Sequence, residues 1–169
     1  MTDKSLCNER FFNKFYTTHI QAASNFAYYK SGDKSTSLDL AQEGFIRVWE
    51  NCTTIDILKA KSYLFTVINN LFLNKVKHQK VVFAYAKSSP YLDVDNQNPE
   101  YLLEEEEFKE RLKKAIEGLT EGERVVFLMH RIDGKKYREI ASTLEISQKA
   151  VEKRMSAALK KLRTKIQGI

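Results

Sequence analysis

Glycine and proline are scarce in this chain, at six and two of 169 residues. Turn-rich all-β folds draw heavily on both, so the shortage disfavours a sandwich or barrel and favours long helices. Cysteine is nearly absent as well. Cys7 and Cys52 have neither C-x-x-C spacing nor a nearby histidine pair. Neither a disulfide framework nor a structural zinc site is therefore expected, and two reduced thiols are. His19, His78 and His130 are scattered over separate helical segments and make no ligand set. No apolar run approaches the length of a membrane span, and the N-terminus carries no apolar signal segment, which points to a cytoplasmic protein. There is no nucleophile–base arrangement, phosphate-binding glycine loop or dinucleotide fingerprint, so neither catalysis by this chain nor a cofactor or small-molecule ligand is expected.

What the chain does have is apolar content of 43%, enough for packed cores, and a net charge of +6 that is unevenly distributed. Residues 1–87 hold 12 Lys and Arg against 7 Asp and Glu; residues 88–107 hold none against 7; residues 108–169 hold 16 against 8. Two basic blocks separated by an acidic strip suggest two polyanion-binding modules, 1–87 and 108–169, joined by a linker of opposite sign. The stretch 88–103 contains both prolines, Pro90 and Pro99, with Asp93, Asp95, Asn96 and Asn98, as a linker would.

Periodicity predicts an all-α chain of two small helical domains. Phe12, Phe15, Tyr16, His19, Ile20, Ala23 and Ala27 recur at three and four, giving a helix over about 5–30. Ser31 to Ser35 is a polar connection. Thr36, with Asp39 three residues on, predicts the start of a second helix running to Trp49 or Glu50. Its Leu40, Gly44, Phe45, Val48 and Trp49 form an inward stripe, while Asp39, Gln42, Glu43, Ile46 and Glu50 form a mostly polar one with Arg47 beside it. Residues 51–61 read as an irregular loop, and Ser62 as the cap of a helix with Leu64, Val67, Ile68, Leu71 and Phe72 on its apolar face. Helices resume near Leu102. Thr120 and Glu123 make a T-x-x-E capping box, and Asp133-Gly134 ends the helix it opens.

Residues 137–163 read as a helix-turn-helix followed by a long basic helix. Ile140, Ala141 and Leu144 share one face of the first helix, and Ser147 can cap the second, whose Val151, Met155, Ala158, Leu159 and Leu162 point inward. Such a pair delivers one helix into a DNA major groove. A helical hairpin with a merely solvated basic face is the plainer alternative, and the density of Lys and Arg on the second helix favours DNA.

At this point a resemblance enters. D-x-x-Q-E-x-F-I-R-V-W at 39–49 resembles the core-binding helix, region 2.2, of extracytoplasmic-function (ECF) sigma factors of bacterial RNA polymerase. Residues 62–70, Ser-Tyr-Leu-Phe-Thr-Val-Ile-Asn-Asn, are similar to the family's region 2.3, and Leu119 to Leu128 with the helix-turn-helix resemble region 4. The resemblance covers both domains in the family's order. It departs at Asn74 and Lys77, where the family usually has Asp and Arg, and at Glu145, where it commonly has Gly. A left-handed backbone there costs Glu roughly 1 kcal/mol, so a slightly adjusted turn is expected.

The resemblance implies partners and roles. Asp39, Gln42, Glu43, Ile46 and Arg47 would dock on the clamp helices of the largest subunit of core RNA polymerase. The loop 51–61 and the following helix would capture the unpaired −10 strand of promoter DNA, with Asn51, Thr53, Thr54, Lys59, Tyr63, Phe65, Asn69, Asn70 and Phe72 as candidates and Lys75, Lys77, His78 and Lys80 near upstream phosphates. The second domain would read the −35 element as duplex through Ser147, Gln148, Lys149, Glu152, Lys153 and Arg154, with Lys136 and Arg138 near phosphate. The acidic strip Asp93 to Glu107 would thread toward the polymerase's nucleic-acid channel. An anti-sigma protein, often membrane-bound in this group, would control the chain from outside. The competing expectation is a stand-alone helix-turn-helix regulator that binds duplex as a dimer; it leaves 39–49 and 62–77 unexplained.

Overall fold

The computed structural model describes residues 5–75 and 99–166, with side chains from Leu103 onward in the second stretch. The described residues form seven α-helices, and no strand occurs among those residues. Helix α1, Glu9–Ser31, starts where the Asn8 side chain accepts from the Phe11 N–H, and ends at Gly32, whose φ of 69° closes a left-handed cap. Helix α2 is Lys34–Glu50. Its cap is Asp33, which accepts from the Thr36 N–H, and not Thr36 as the T-x-x-D pattern suggested. A carboxylate one turn earlier satisfies the same donors and adds charge at the positive end of the helix.

The stretch expected to be an irregular loop is partly ordered. Thr54 and Ile55 turn back on Asn51, and Asp56 caps a 3-10 turn, Ile57–Lys59. Helix α3, Ala60–Lys75, follows directly. Ser62 lies inside it, donating to the Lys59 carbonyl, and so does not act as its cap.

Helices α1, α2 and α3 pack around Phe26, Leu40, Phe45, Val48, Leu64, Phe65 and Ile68. Gly44 permits the close approach of α2 to α3: a Cβ there would lie 2.7 Å from Ile68 Cγ1. Phe12, Phe15, Tyr16, Phe45 and Trp49 form an aromatic cluster with tilted and edge-to-face contacts at 4.7–6.4 Å. Trp49, assigned inward from its spacing, instead sits at the rim, 41% exposed and edge-on to Phe12 at 4.9 Å.

The cysteines depart from expectation. Cys7 and Cys52 are joined in a disulfide, with Cα atoms 5.1 Å apart. Leu6, 1% exposed, anchors the N-terminal segment, and the turn after α2 brings Cys52 back to it. A separation of 45 residues hides this neighbourhood from any spacing rule.

The second body contains α4, Pro99–Glu117; α5, Glu121–Arg131; α6, Tyr137–Leu144; and α7, Gln148–Lys165. Helix α4 begins three residues before the expected Leu102 and carries Glu104 to Glu107, so this half of the acidic strip is helical. Asp93 and Asp95 lie outside the described residues. The capping box of Thr120 and Glu123 forms, and the Glu123 carboxylate also receives Lys161 Nζ at 2.8 Å. Ser147 caps α7 by accepting from Ala150 N–H. Glu145 adopts φ 54°, ψ 40°, so the turn keeps the left-handed backbone despite its Cβ. Val126, Ile140, Val151, Met155, Ala158 and Leu162 fill the core of this body.

The two bodies pack against each other, α5 on α1 and α6 on α3.

Candidate functional site

The polar stripe of α2 is on the surface. Asp39, Gln42, Ile46 and Arg47 are exposed, and Glu43 is half-buried, held by Arg47 Nε at 3.0 Å. The stripe borders two open grooves. One, of about 570 Å³, is lined by Phe12, Tyr16, Gln42, Phe45, Ile46 and Trp49. The other, of about 550 Å³, runs between Asp39, Gln42, Glu43 and Ile46 on α2 and Leu71, Asn74 and Lys75 on α3. Lys75, assigned from the sequence to upstream phosphate, thus sits beside the α2 stripe. An exposed apolar residue ringed by charges, with Ile46 50% exposed, has the make-up of a reversible protein interface.

At the far end of α2, Asn51 closes the helix, its side-chain N–H donating to the Arg47 carbonyl. Thr53, Thr54 and Lys59 follow, all exposed, and Asn70 is exposed further along α3. Tyr63 and Asn69 are half-buried. Phe65 is not available to a base: it is 2% exposed and packs on Phe26 with centroids 5.0 Å apart. Phe72, 4% exposed, is likewise core, facing the Lys30 ammonium. Both lie on the inward stripe of α3, where core packing outcompetes any stacking role. Lys77, His78 and Lys80 lie outside the described residues. The sequence reasoning passed over Leu58, which is 92% exposed at the tip of the 3-10 turn beside Lys59. An apolar residue stranded in a polar stretch was the available signal.

On the second body, Gln148, Lys149, Glu152 and Lys153 project outward from the first two turns of α7, with Gln148 Nε2 donating to Glu152 Oε1 at 3.1 Å. Arg138 is exposed on α6. The Lys136 N–H donates to the Glu139 carboxylate at 2.8 Å, which holds that carboxyl below its ordinary range. Arg154 differs from its neighbours. It is half-buried and its guanidinium lies over Gly122, 3.3–3.4 Å from where a Cβ would be. It lines a cleft of about 610 Å³ between the two bodies, with Lys30, Phe65, Thr66, Asn69 and Glu145 among the other walls. Among the described residues, no group of three His, Cys, Asp or Glu is placed to hold a metal ion. No described helix is long and apolar enough to cross a membrane.

Several polar contacts cross between the bodies, and none was foreseeable from spacing. Asp133 Oδ1 accepts from Tyr29 Oη at 2.7 Å and from Asn25 Nδ2 at 3.0 Å. Burial and this carboxylate together raise the Tyr29 phenol well above its ordinary value. Lys30, 3% exposed, pairs with Glu121 and packs over the Phe26 and Phe72 rings. Burial lowers its ammonium's pKa, and Glu121 partly offsets that. Arg124 Nε donates to the Tyr29 carbonyl at 2.8 Å.

Two family patterns match the chain, one on each body. The Sigma-70 region 2 family pattern matches residues 15–82, and the Sigma-70 region 4 pattern matches residues 109–162. The chain is similar to the ECF RNA polymerase sigma factor SigE of Mycolicibacterium smegmatis, at 26% identity over 147 residues that cover 86% of this chain and 57% of that relative. It is also similar to the ECF RNA polymerase sigma-E factor of Escherichia coli K12, at 27% identity over 166 residues, covering 89% of this chain and 83% of that one. Two solved structures share the fold. One is CnrH in complex with the cytosolic domain of CnrY, with TM-score 0.63, 22% identity and coverage of 93% and 88%. The other is the Bartonella quintana sigma factor RpoE in complex with the anti-sigma factor NepR, with TM-score 0.61, 17% identity and coverage of 93% and 97%.

Proposed function

Since this chain belongs to the sigma-70 family, as an ECF sigma factor with regions 2 and 4, we propose that it docks on core RNA polymerase and directs it to promoters with −35 and −10 elements. The observation that carries this reading is the presence of both regions in order, each presenting an exposed polar surface where its role needs one. Asp39, Gln42, Glu43, Ile46 and Arg47 dock on the polymerase, with the aromatic groove at Trp49 continuing the same surface.

The turn 51–59 and the exposed side of α3 then hold the unpaired −10 strand. Asn51, Thr53, Thr54, Asn69 and Asn70 offer edge hydrogen bonds, Lys59 offers charge, and Tyr63 and Leu58 offer apolar surface to a base that has left its stack. The first turns of α7 enter the −35 major groove. Gln148 suits adenine and Glu152 suits the cytosine amino group, while Lys149, Lys153 and Arg138 meet phosphate or guanine. The chain works in the cytoplasm, where polymerase and promoter are. Its activity is held in check by an anti-sigma protein, a reading supported by the fold shared with a sigma factor solved bound to NepR. It confers promoter choice on another enzyme and catalyses nothing by itself.

The test is charge reversal on the docking stripe. Glu43→Lys or Arg47→Glu weakens binding to core polymerase about tenfold or more, while circular dichroism of the chain stays unchanged. Undiminished co-purification with core enzyme counts against the assignment. For the second body, Lys153→Ala weakens binding to all duplex sequences alike and flattens the logarithmic salt dependence by about 0.9, the signature of one lost phosphate contact. A change of preference at a single base pair would assign Lys153 to base readout instead.

A further inference from the structure

The Cys7–Cys52 bridge ties the turn proposed to hold the −10 strand to a fixed point at the start of α1. Cys7 is exposed on the N-terminal segment, outside the residues proposed for polymerase and DNA contact. It is held in place on both sides, by Leu6, 1% exposed, and by Asn8, the cap of α1. Cys52 is half-buried and lies within the turn itself, between Asn51 and Thr53. Its N–H donates to the Trp49 carbonyl at 3.2 Å, while the Thr54 and Ile55 N–H groups both donate to the Asn51 carbonyl, at 3.0 and 3.2 Å. These bonds are local and sit beside the exposed Thr53 and Thr54, so by themselves they open readily.

A chain that works beside polymerase and promoter works where thiols are kept reduced, and disulfides that form there are as a rule transient, catalytic or redox-sensing. A bridge with an exposed cysteine is of the labile kind. We infer that Cys7–Cys52 is a reversible exchange site for low-molecular-weight disulfides and thiols, and that its oxidation holds the −10 turn ready for the unpaired strand. The inference rests on reading residues 51–59 as the −10 turn. Oxidation proceeds by two exchanges. The Cys7 thiolate, the accessible one, attacks one sulfur of a small disulfide and expels a thiolate. The Cys52 thiolate then attacks Cys7 Sγ in the mixed disulfide and expels the second. The two cysteines are oxidised, the small disulfide is reduced to two thiols, and the two cysteine protons end on those thiols. Excess thiol runs the same steps backwards. With the bridge open, the turn keeps only its local hydrogen bonds and the packing of Cys52 and Ile55, so more order must be gained on binding the strand.

The experiment uses the full wild-type chain, oxidised with glutathione disulfide or reduced with dithiothreitol, then freed of reagent before core polymerase is added without air. Free thiols are counted by alkylation with a polymeric maleimide across glutathione buffers from reducing to oxidising. Transcript yield is read at sub-saturating chain from a library of duplex promoters randomised over both elements, and binding to core polymerase is measured alongside. Cys7→Ser, which changes a residue outside the proposed contacts, is treated in parallel, and the two wild-type forms carry the test should that variant not fold. The bridge should open and close within the buffer series. The oxidised chain should give about three- to tenfold more transcript than the reduced one at equal polymerase binding, and Cys7→Ser should match the reduced chain under both treatments. A bridge that stays closed in the most reducing buffer, or never forms, overturns the exchange site. Equal transcript from the two wild-type forms, more from the reduced form, or a difference that follows polymerase binding overturns the coupling to the −10 turn, while the proposed function stands because transcript is made. A folded Cys7→Ser chain that still responds to oxidation overturns that coupling too. No specific transcript from any chain overturns the proposed function, and the coupling with it.

Discussion

Glu145 holds the left-handed backbone at the helix-turn-helix corner with φ 54°, the sole non-glycine among the described residues to have a positive φ. Its Cβ crowds the following carbonyl, so Glu145→Gly relieves about 1 kcal/mol and raises the melting temperature by a few degrees. A lower melting temperature would mean that the carboxylate contact with Thr66 outweighs the strain. Glu123 makes a pH prediction at the same scale. Burial raises its pKa, but Lys161 and the Thr120 hydrogen bonds outweigh this and hold the carboxyl below its ordinary 4.5. A depressed folded value stabilises the chain fully above 4.5 and stops doing so as pH falls through that depressed value. Wild-type stability therefore drops on acidification below pH 4.5, and Glu123→Gln shows a smaller drop. Equal acid sensitivity in both chains would remove Glu123 from the explanation.

At the scale of elements, Gly44 sets how closely α2 and α3 approach. Gly44→Ala puts a methyl 2.7 Å from Ile68 Cγ1, and the overpacking costs about 1–3 kcal/mol in urea unfolding. Combined with Ile68→Ala, whose own core cavity is costly, the loss should be smaller than the sum of the two single losses, whereas additive losses would show that the two sites do not share the strain. Helices were the most legible part of the sequence, because amphipathic periodicity and caps such as Thr120–Glu123 and Ser147 are local. Boundaries were less so where two signals competed, as at Asp33 and Thr36. The exposed stripe of α2 and the exposed start of α7 were readable for the same reason, since polarity at a helical period reports which face meets water. Trp49 was misplaced because periodicity gives a direction and not a depth: it lies at the edge of its stripe, edge-on to Phe12 of α1. Phe65 and Phe72 were candidates through the resemblance, and packing against Phe26 and Lys30 of α1 covers them both.

For the molecule as a whole, what determines the arrangement is non-local, and the sequence was silent on it. Tyr29 and Asp133 are 104 residues apart, and Lys30 and Glu121 are 91 apart. The disulfide is of the same kind. Closing a loop of this length contributes about 2–4 kcal/mol by restricting the unfolded chain, so dithiothreitol lowers the urea midpoint of the wild type and leaves that of Cys52→Ser unchanged. An identical midpoint with and without reductant would show that Leu6 alone secures the N-terminal segment.

The same sulfur bridge also makes α1 and α2 part of one covalent ring. A protease that severs the chain once between those helices would release no fragment: the nicked protein would still run as one band on a denaturing gel, and would part into two only after the sulfurs were reduced.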